Sequence, residues 1–600
     1  MSTRFTLSGV AVSVGVAIGP AWVVDPRGVP ATRRVSLERV PGELARLSAA
    51  IERARTELLQ ALHDASDLPS GPLRDILEAH RQLTCDPTLR EHIEKLIEEE
   101  QSSAESAVVK VMEGFARALE GNDGAYLREL THDVEQVMGH LLDALQGHSP
   151  SADPPPGAVL IVRDLPPRDA VRLRERGVVG LVATRGSATS HTALLARALG
   201  IPAVVGVRDA LLTIENGALV EVDGFAGSCH VRPSDEEQSR ARARATRFAT
   251  FLSELAARAR EPVLTADGEP IDLRANIELP SEAAELAARG ARGVGLFRSE
   301  YLFLASRAPL GEDEQVRTYA TLLRDVRPHP VTFRTFDLGA DKLGDAPRER
   351  RGPHRRAARP ANPALAPRGL RLALASREAF ERQLRAVLRA SSDVPEAPAE
   401  LLFPMVASRA DLLAALSLYR DVRAALVSEG VVLPDMRVGA MIEVPAAVLM
   451  VDVLLPHVDF VALGTNDLLQ YSLAIDRADP GSTRWARAYE PALLRSVHHV
   501  ASAARAQGKD VRVCGDAASD PIALPLLLGL GVRHLSLQPA ALPIAAATLR
   551  RLERAVLAPL AREALALGDA DEVEAHVGSA LRATLADLWS EQGYTPPAAS

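Results

Sequence analysis

The chain has 600 residues, too many for one ordinary hydrophobic core, so two to four domains are expected. Apolar residues make up 47% and charged residues 24%, a globular balance that excludes a disordered chain. The formal net charge of −9 gives no support to a nucleic-acid partner, and acidic patches would suit a basic protein instead. Cys85, Cys229 and Cys514 lie far apart with no CxxC or Cys/His cluster, which argues against a disulfide framework or zinc site and points to a reducing compartment.

The first residues, MSTRFTLSGVAVSVGVAIGPAWVV, are broken by Gly and Ser and read as short strands rather than a signal peptide. No apolar run reaches spanning length, so a soluble, cytoplasmic protein is expected. From 36 to 147 apolar residues recur at three- and four-residue spacing, as in LERVPGELARLSAAIERARTELLQALHDA, which predicts a helical bundle. GHSPSADPPPG ends it. AVLIVRDL, GVVGLVAT and IPAVVG then read as strands, so 1–35 and 148–232 are expected to form a small α/β domain around the inserted bundle. Residues 233–262 read as a charged linker helix.

Over 263–582 eight β-rich runs alternate with helical patterns: IDLRANI, GVGLFRS, VTFRTFDLG, ELLFPMV, RVGAMIEVP, DFVALGTND, VRVCGDA and HLSLQP. That alternation predicts a (β/α)₈ barrel, with a doubly wound open sheet as the alternative. Residues 583–600, ending GYTPPAAS, are expected to be a disordered tail. The predicted fold class is therefore α/β multidomain, a small α/β domain with an inserted bundle followed by a TIM-type barrel.

In such barrels chemistry collects where strands end. The polar residues at those ends are Asn276, Arg298, Arg334, Asp337, Glu443, Asn466, Asp467 and Cys514, with Ser536 in the last strand. Guanidinium forks bind phosphate and carboxylate, and paired carboxylates hold Mg²⁺ beside phosphate. The set describes a pocket for a small, multiply anionic, phosphorylated substrate, with Mg²⁺ shared between Glu443, Asp467 and substrate oxygens. A single Arg or carboxylate at a strand end is as readily structural, and it is the convergence that points to chemistry. Cys514 reads either as an inert buried thiol or as a proton donor, because a thiol near anions stays protonated.

In the small domain, GSATSHTALLARALGIPAVVG places His191 after Thr189 and Ser190, both good helix caps, at the start of an apolar helix pattern. Free N–H groups and the helix dipole favour an anion there, and neutral imidazole is a competent nucleophile near pH 7. Taken alone, a histidine at a helix start is usually a surface residue. With an anion-binding barrel downstream it becomes a candidate phosphoryl carrier.

These motifs resemble enzyme I of the bacterial phosphoenolpyruvate:sugar phosphotransferase system. The resemblance runs from near residue 8 to about 580 through TSHTALLARALGIPAVVG, GVGLFRSEYLF, FRTFDLGADK, LFPMV, MIEVPAA, ALGTNDLLQYSLAIDR and the CGD segment. It implies that His191 accepts the phosphoryl group of phosphoenolpyruvate and passes it to a histidine of the carrier HPr. It further implies Mg²⁺ on Glu443 and Asp467, substrate gripped by Arg298, Arg334, Arg368, Asn466 and Arg477, and Cys514 protonating the enolate to give pyruvate. The bundle at 36–147 would dock HPr, the charged linker would allow His191 to swivel, and the barrels would form a homodimer. Lys342, one of only four lysines, falls inside a motif and is taken as a further substrate-binding residue. The lack of a sensory extension before residue 1 leads to the expectation of a sugar-type rather than a nitrogen-type system.

The chain also departs from that pattern. Gly186, Ser187 and Ala188 stand where the family has Gly-Gly-Arg, and Asp164-Leu165-Pro166-Pro167 replaces Asp-Leu-Thr-Pro, with loss of a hydroxyl. Leu343 replaces a Glu, 344–361 is rewritten as GDAPRERRGPHRRAARPA, Ala366-Pro367-Arg368 replaces Gly-Trp-Arg, and Asp516 replaces the Glu of CGE. Two alternatives follow. A phosphoenolpyruvate synthase or pyruvate phosphate dikinase would need an ATP-grasp domain, for which 36–147 is too short and too helical. A regulatory phosphoenolpyruvate-sensing paralogue with weak phosphotransfer would fit the altered surroundings of His191.

Overall fold

A computed structural model describes residues 4–24, 33–64, 71–119, 125–147, 154–166, 176–186, 190–300, 310–337, 367–475 and 485–592, with 169, 173, 302, 365 and 594 as isolated positions. The chain divides into two units, Met1–Thr250 and Phe251–Ser600.

The first unit holds an eight-stranded sheet. Its strands are β1 (Phe5–Ser8), β2 (Val10–Ser13), β3 (Val16–Val24), β4 (Val159–Val162), β5 (Gly180–Ala183), β6 (Ala203–Val205), β7 (Leu219–Asp223) and β8 (Ser228–Val231). The order is β1-β8-β7-β3-β4-β5-β6-β2, parallel across β3 to β6 and antiparallel towards both edges. Val159–Val162 and Gly180–Ala183 are buried at every position, as expected for central parallel strands covered on both faces. The sequence reading named β4, β5 and β6 but not the β7–β8 pair, whose strands alternate buried and half-buried residues around a tight turn.

Among the described residues between β3 and β4 are five α-helices, α1 (Val40–Asp64), α2 (Gly71–Thr84), α3 (Pro87–Glu100), α4 (Ala104–Leu119) and α5 (Ala125–Gln146). Leu47, Ala54, Ile93, Ile97, Val108, Met138 and Leu141 form their core. Leu58, Ala61 and Leu77 instead join Leu195 and Leu199, so bundle and sheet share a second core. The charged helix Asp235–Ala257 follows β8.

In the second unit, eight parallel strands close into a barrel: β9 (Asp272–Ile277), β10 (Val294–Arg298), β11 (Val331–Arg334), β12 (Ala399–Phe403), β13 (Arg437–Ile442), β14 (Phe460–Leu463), β15 (Asp510–Val513) and β16 (His534–Leu537). All eight are the runs read from the sequence, and pairing of β16 with β9 rules out the open sheet. Leu296, Leu402, Met441, Phe460, Ala462 and Cys514 form an apolar cluster separate from the main core. A Cβ at Gly439 would lie 2.4 Å from the Phe460 ring, so that strand carries glycine to admit the aromatic.

The expected tail at 583–600 needs correction. The last helix runs Ala570–Glu591, and Leu585, Leu588 and Trp589 are buried in the barrel core. Their three- and four-residue spacing continues the helix past the predicted boundary, and the Tyr594 hydroxyl donates to Glu574 at 2.7 Å. No helix among the described residues is long and apolar enough to cross a membrane.

Candidate functional site

Because the barrel strands are parallel, their C-terminal ends lie on one face. Arg298 and Arg334 end β10 and β11 and are paired in register. Glu443 follows β13, Asn466 and Asp467 lie in the first turn of the helix Thr465–Leu473 after β14, and Cys514 follows β15. Arg368 stands in extended backbone directly before the helix Gly369–Ala375. Arg477, Lys342 and the rewritten 344–361 loop lie outside the described residues.

Each arginine is held by a carboxylate. Arg298 donates to Glu278 at 2.8 Å, and Arg334 to Glu300 at 2.8 Å. Arg368 makes a two-point pair with Asp337, Nε to Oδ1 at 3.2 Å and Nη2 to Oδ2 at 2.6 Å, and lies 3.6 Å from Asp467. Burial opposes the charge on Arg334 and Arg368, but Glu300, Asp337, Glu443 and Asp467 around the first and Asp337 and Asp467 around the second outweigh it. Both pKa values end above the ordinary arginine range. The Nε–H groups of Arg298 and Arg334 are buried with no hydrogen-bond partner. Buried donors left unpaired are costly, and two on neighbouring strand ends are what an anionic ligand would satisfy.

Glu443 is 1% exposed and accepts the backbone N–H of Met405 at 2.6 Å. Burial, then Asp467 and Asp337, push its carboxyl upward, while Arg334 opposes. Gly464 gives it room: a Cβ there would lie 2.7 Å from Oε2. Among the described residues no cluster of three or more His, Cys, Asp or Glu side chains could hold a metal ion. Two carboxylates, one buried and crowded by like charge, nevertheless fit Mg²⁺, which is held by one or two protein carboxylates and takes its other oxygens from water and phosphate. They do not fit zinc, which draws three or four N and S ligands.

Cys514 is buried beside the same charges. Burial first, then Glu443, push its thiol up to about 12. Asn466 turns its carbonyl oxygen to the N–H of Asp516 at 2.8 Å. Asn276 donates to the carbonyls of Cys514 and Ser536 and accepts from the Ser536 hydroxyl at 2.6 Å, so both belong to the framework beneath the site. The barrel thus brings together Arg298, Arg334, Arg368, Glu443, Asp467 and Cys514 with Asn466 beside them. The sequence reading did not single out Glu278, Glu300 or the Met405 N–H. Glu300 was signalled only by its place two residues after Arg298, and a backbone donor leaves no trace in residue types.

In the first unit, His191 is the first residue of the helix His191–Leu199. Ser190 is its N-cap, accepting the Ala193 N–H at 3.4 Å, and Gly200 ends the helix at φ +65°. Gly186 has φ +116°, and a Cβ there would lie 2.9 Å from the Ser190 hydroxyl, so the chain before His191 needs glycine for conformation and space. The Asp164–Pro166 loop is tied to this helix by Leu165 N–H donating to the Thr192 hydroxyl at 3.1 Å.

Three family models match the chain: "PEP-utilising enzyme, N-terminal" over 8–129, "PEP-utilising enzyme, mobile domain" over 154–227, and "PEP-utilising enzyme, PEP-binding domain" over 253–554. A phosphoenolpyruvate-protein phosphotransferase of Geobacillus stearothermophilus is 35% identical over 576 residues, covering 95% of this chain and 97% of that protein. One of Cupriavidus necator is 38% identical over 553 residues, covering 90% and 93%. A solution NMR structure of an Enzyme I protein (nEIt) is 32% identical, covers 40% of this chain and 99% of that chain, and gives a TM-score of 0.35. With 35–38% identity over nearly the full length of these relatives and the three matching family models, the chain belongs to the phosphoenolpyruvate-protein phosphotransferase family of PEP-utilising enzymes.

Proposed function

We propose that this chain transfers the phosphoryl group of phosphoenolpyruvate to His191 and from there to a histidine of a small HPr-type carrier protein, releasing pyruvate as the first step of a sugar phosphotransferase system. The observation that carries the reading is the convergence of Arg298, Arg334 and Arg368 with Glu443 and Asp467 on one barrel face, where two guanidinium N–H groups are buried and unpaired. Guanidinium groups fixed in place before substrate arrives meet the main demand of phosphoryl transfer, which is positioning and charge neutralisation.

In this reading the arginines, with Asn466, Arg477 and Lys342, grip the substrate phosphate and carboxylate. The bond between the bridging oxygen and phosphorus breaks, a bond from an imidazole nitrogen of His191 to phosphorus forms, and the electron pair of the broken bond stays on the enolate of pyruvate. Cys514 gives its proton to the methylene carbon of that enolate and regains one from water. Glu443 and Asp467 would hold Mg²⁺, which when bound neutralises charge on the transferring group. The helix start at His191 would stabilise the phosphorylated imidazole. The protein would work in the cytoplasm as a homodimer formed through its barrels, with α1–α5 as the HPr-docking surface.

The test is incubation with phosphorus-labelled phosphoenolpyruvate and Mg²⁺, comparing the wild type with His191→Ala. Label is expected on the wild type alone, and label persisting on the variant would overturn the assignment. Labelling without transfer to any HPr would favour a regulatory phosphoenolpyruvate sensor.

A further inference from the structure

We propose that Glu300 is a positioning residue for the arginines of the barrel mouth, orienting Arg334 directly and Arg368 through Asp337. The inference rests on the reading of that mouth as the phosphoenolpyruvate site.

Glu300 is 7% exposed, and its Oε1 accepts two hydrogen bonds. One comes from Arg334 Nη2 at 2.8 Å, the other from the backbone N–H of Asp337 at 2.7 Å. Asp337 in turn takes Arg368 at two points, while its own carboxylate stays 3.9 Å from Arg334. One oxygen atom therefore fixes the guanidinium at the end of β11 and the residue that holds Arg368. Gly369 closes the arrangement from the other side. It has φ +54°, and a Cβ there would lie 2.6 Å from that of Met405 and 3.0 Å from Asp337 Oδ1.

The strand ends beneath are pinned independently. Gln383, from the helix Arg377–Asp393, donates to the Ser299 hydroxyl at 2.8 Å and accepts the Phe336 N–H at 3.1 Å. The Ser299 hydroxyl donates to the Arg334 carbonyl at 2.8 Å. Removing the Glu300 carboxylate thus frees the guanidinium while the backbone stays anchored. A freed arginine must be ordered again each time substrate binds, so the loss falls on substrate binding.

The test uses the full chain and three variants, Glu300→Ala, Glu300→Gln and Arg334→Ala, with KM and kcat for label uptake from phosphoenolpyruvate with Mg²⁺ and the thermal midpoint as readouts. Glu300→Ala is expected to raise KM by about ten- to a hundredfold, the range seen when the partner that orients a metal-ligating side chain is removed. Its kcat should fall less, and its midpoint should fall as well because Arg334 loses a buried partner, whereas Glu300→Gln should hold the midpoint near wild type. Glu300→Gln keeps an oxygen that accepts both N–H groups and should recover most of the KM. If Arg334→Ala raises KM but Glu300→Ala does not, the positioning role is overturned and the site reading stands. If Arg334→Ala leaves KM unchanged, the site reading fails and takes this inference with it. Equal impairment of both Glu300 variants with lowered midpoints would make Glu300 a fold residue and overturn the proposal.

Discussion

The backbone N–H of Met405 meets Glu443 Oε1 at 2.6 Å from a left-handed conformation, φ +53°, that side-chain-bearing residues seldom adopt. Strained backbone persists where its surroundings enforce it, and here it supplies the donor that holds a buried carboxylate in place.

Glu443→Gln should therefore separate stability from metal binding. The amide oxygen still accepts the Met405 N–H, while one buried negative charge next to Asp467 and Asp337 is removed. The metal-free variant is expected to melt no lower than wild type, to lose the rise in midpoint that Mg²⁺ gives the wild type, and to take up label at least about a hundredfold more slowly. Asp467→Asn should lose the same Mg²⁺ response. Scanning calorimetry with and without Mg²⁺ checks both, and an undiminished Mg²⁺ shift would place the metal elsewhere.

Gly464 carries a second prediction. Its φ of −84° suits any residue, so Gly464→Ala strains no backbone, but the new Cβ would lie 2.7 Å from Glu443 Oε2. Overpacking of this kind costs roughly 1–3 kcal/mol, and it falls on Glu443 as a whole, whose Cβ would also lie 2.8 Å from the new methyl, so the carboxylate must shift. The apparent Mg²⁺ affinity should fall about tenfold or more, read from label uptake titrated with Mg²⁺. An unchanged titration would mean that the oxygen facing Gly464 plays no part in metal binding.

How much of this was legible in the sequence varied with the kind of interaction. The barrel was readable because each strand is a short buried apolar run between helices, and Arg298, Arg334, Glu443, Asp467 and Cys514 were readable because strand ends converge on one face. The carboxylate partners were not. Glu300 reaches Arg334 across 34 positions, and nothing local marks it as buried. The β7–β8 pair was missed because its strands carry Glu221, Asp223, Ser228 and His230 between buried residues. The C-terminal helix was cut short because the Pro-rich ending outweighed the spacing of Leu585, Leu588 and Trp589.

The thiols should differ sharply in reactivity. Burial pushes both Cys229 and Cys514 up to about 12, with Glu221 adding to the first and Glu443 to the second. At about pH 8 roughly one in ten thousand of either is thiolate, the reactive form. Cys85 is exposed. Iodoacetamide on the folded protein should therefore modify Cys85 and spare the other two, as read by peptide mass spectrometry. Rapid modification of Cys514 would remove the protonated thiol that the enolate step needs.

Glu400 sets an acid limit on the barrel. Inside the strands it accepts from Arg512 Nη2 at 2.8 Å, from Arg274 at 2.9 Å and from the Thr332 hydroxyl at 2.7 Å, and Arg512 Nη1 also reaches it. Burial would raise its pKa, but these partners, Arg512 foremost, bring it down to about 2 from an ordinary 4.5. A carboxyl with a depressed folded-state pKa stabilises the fold in full above its unfolded value and loses that contribution as pH falls through the folded one. The window is therefore about pH 4.5 down to 2. Glu400→Gln leaves the buried Arg512 without its counter-charge, while Arg274 keeps Asp272 at 2.8 Å; breaking a buried pair costs about 3–5 kcal/mol. The variant should melt well below wild type at neutral pH, with the gap narrowing steadily below about pH 4.5. A gap of constant size across that window would mean that Glu400 contributes by shape and hydrogen bonding rather than by charge.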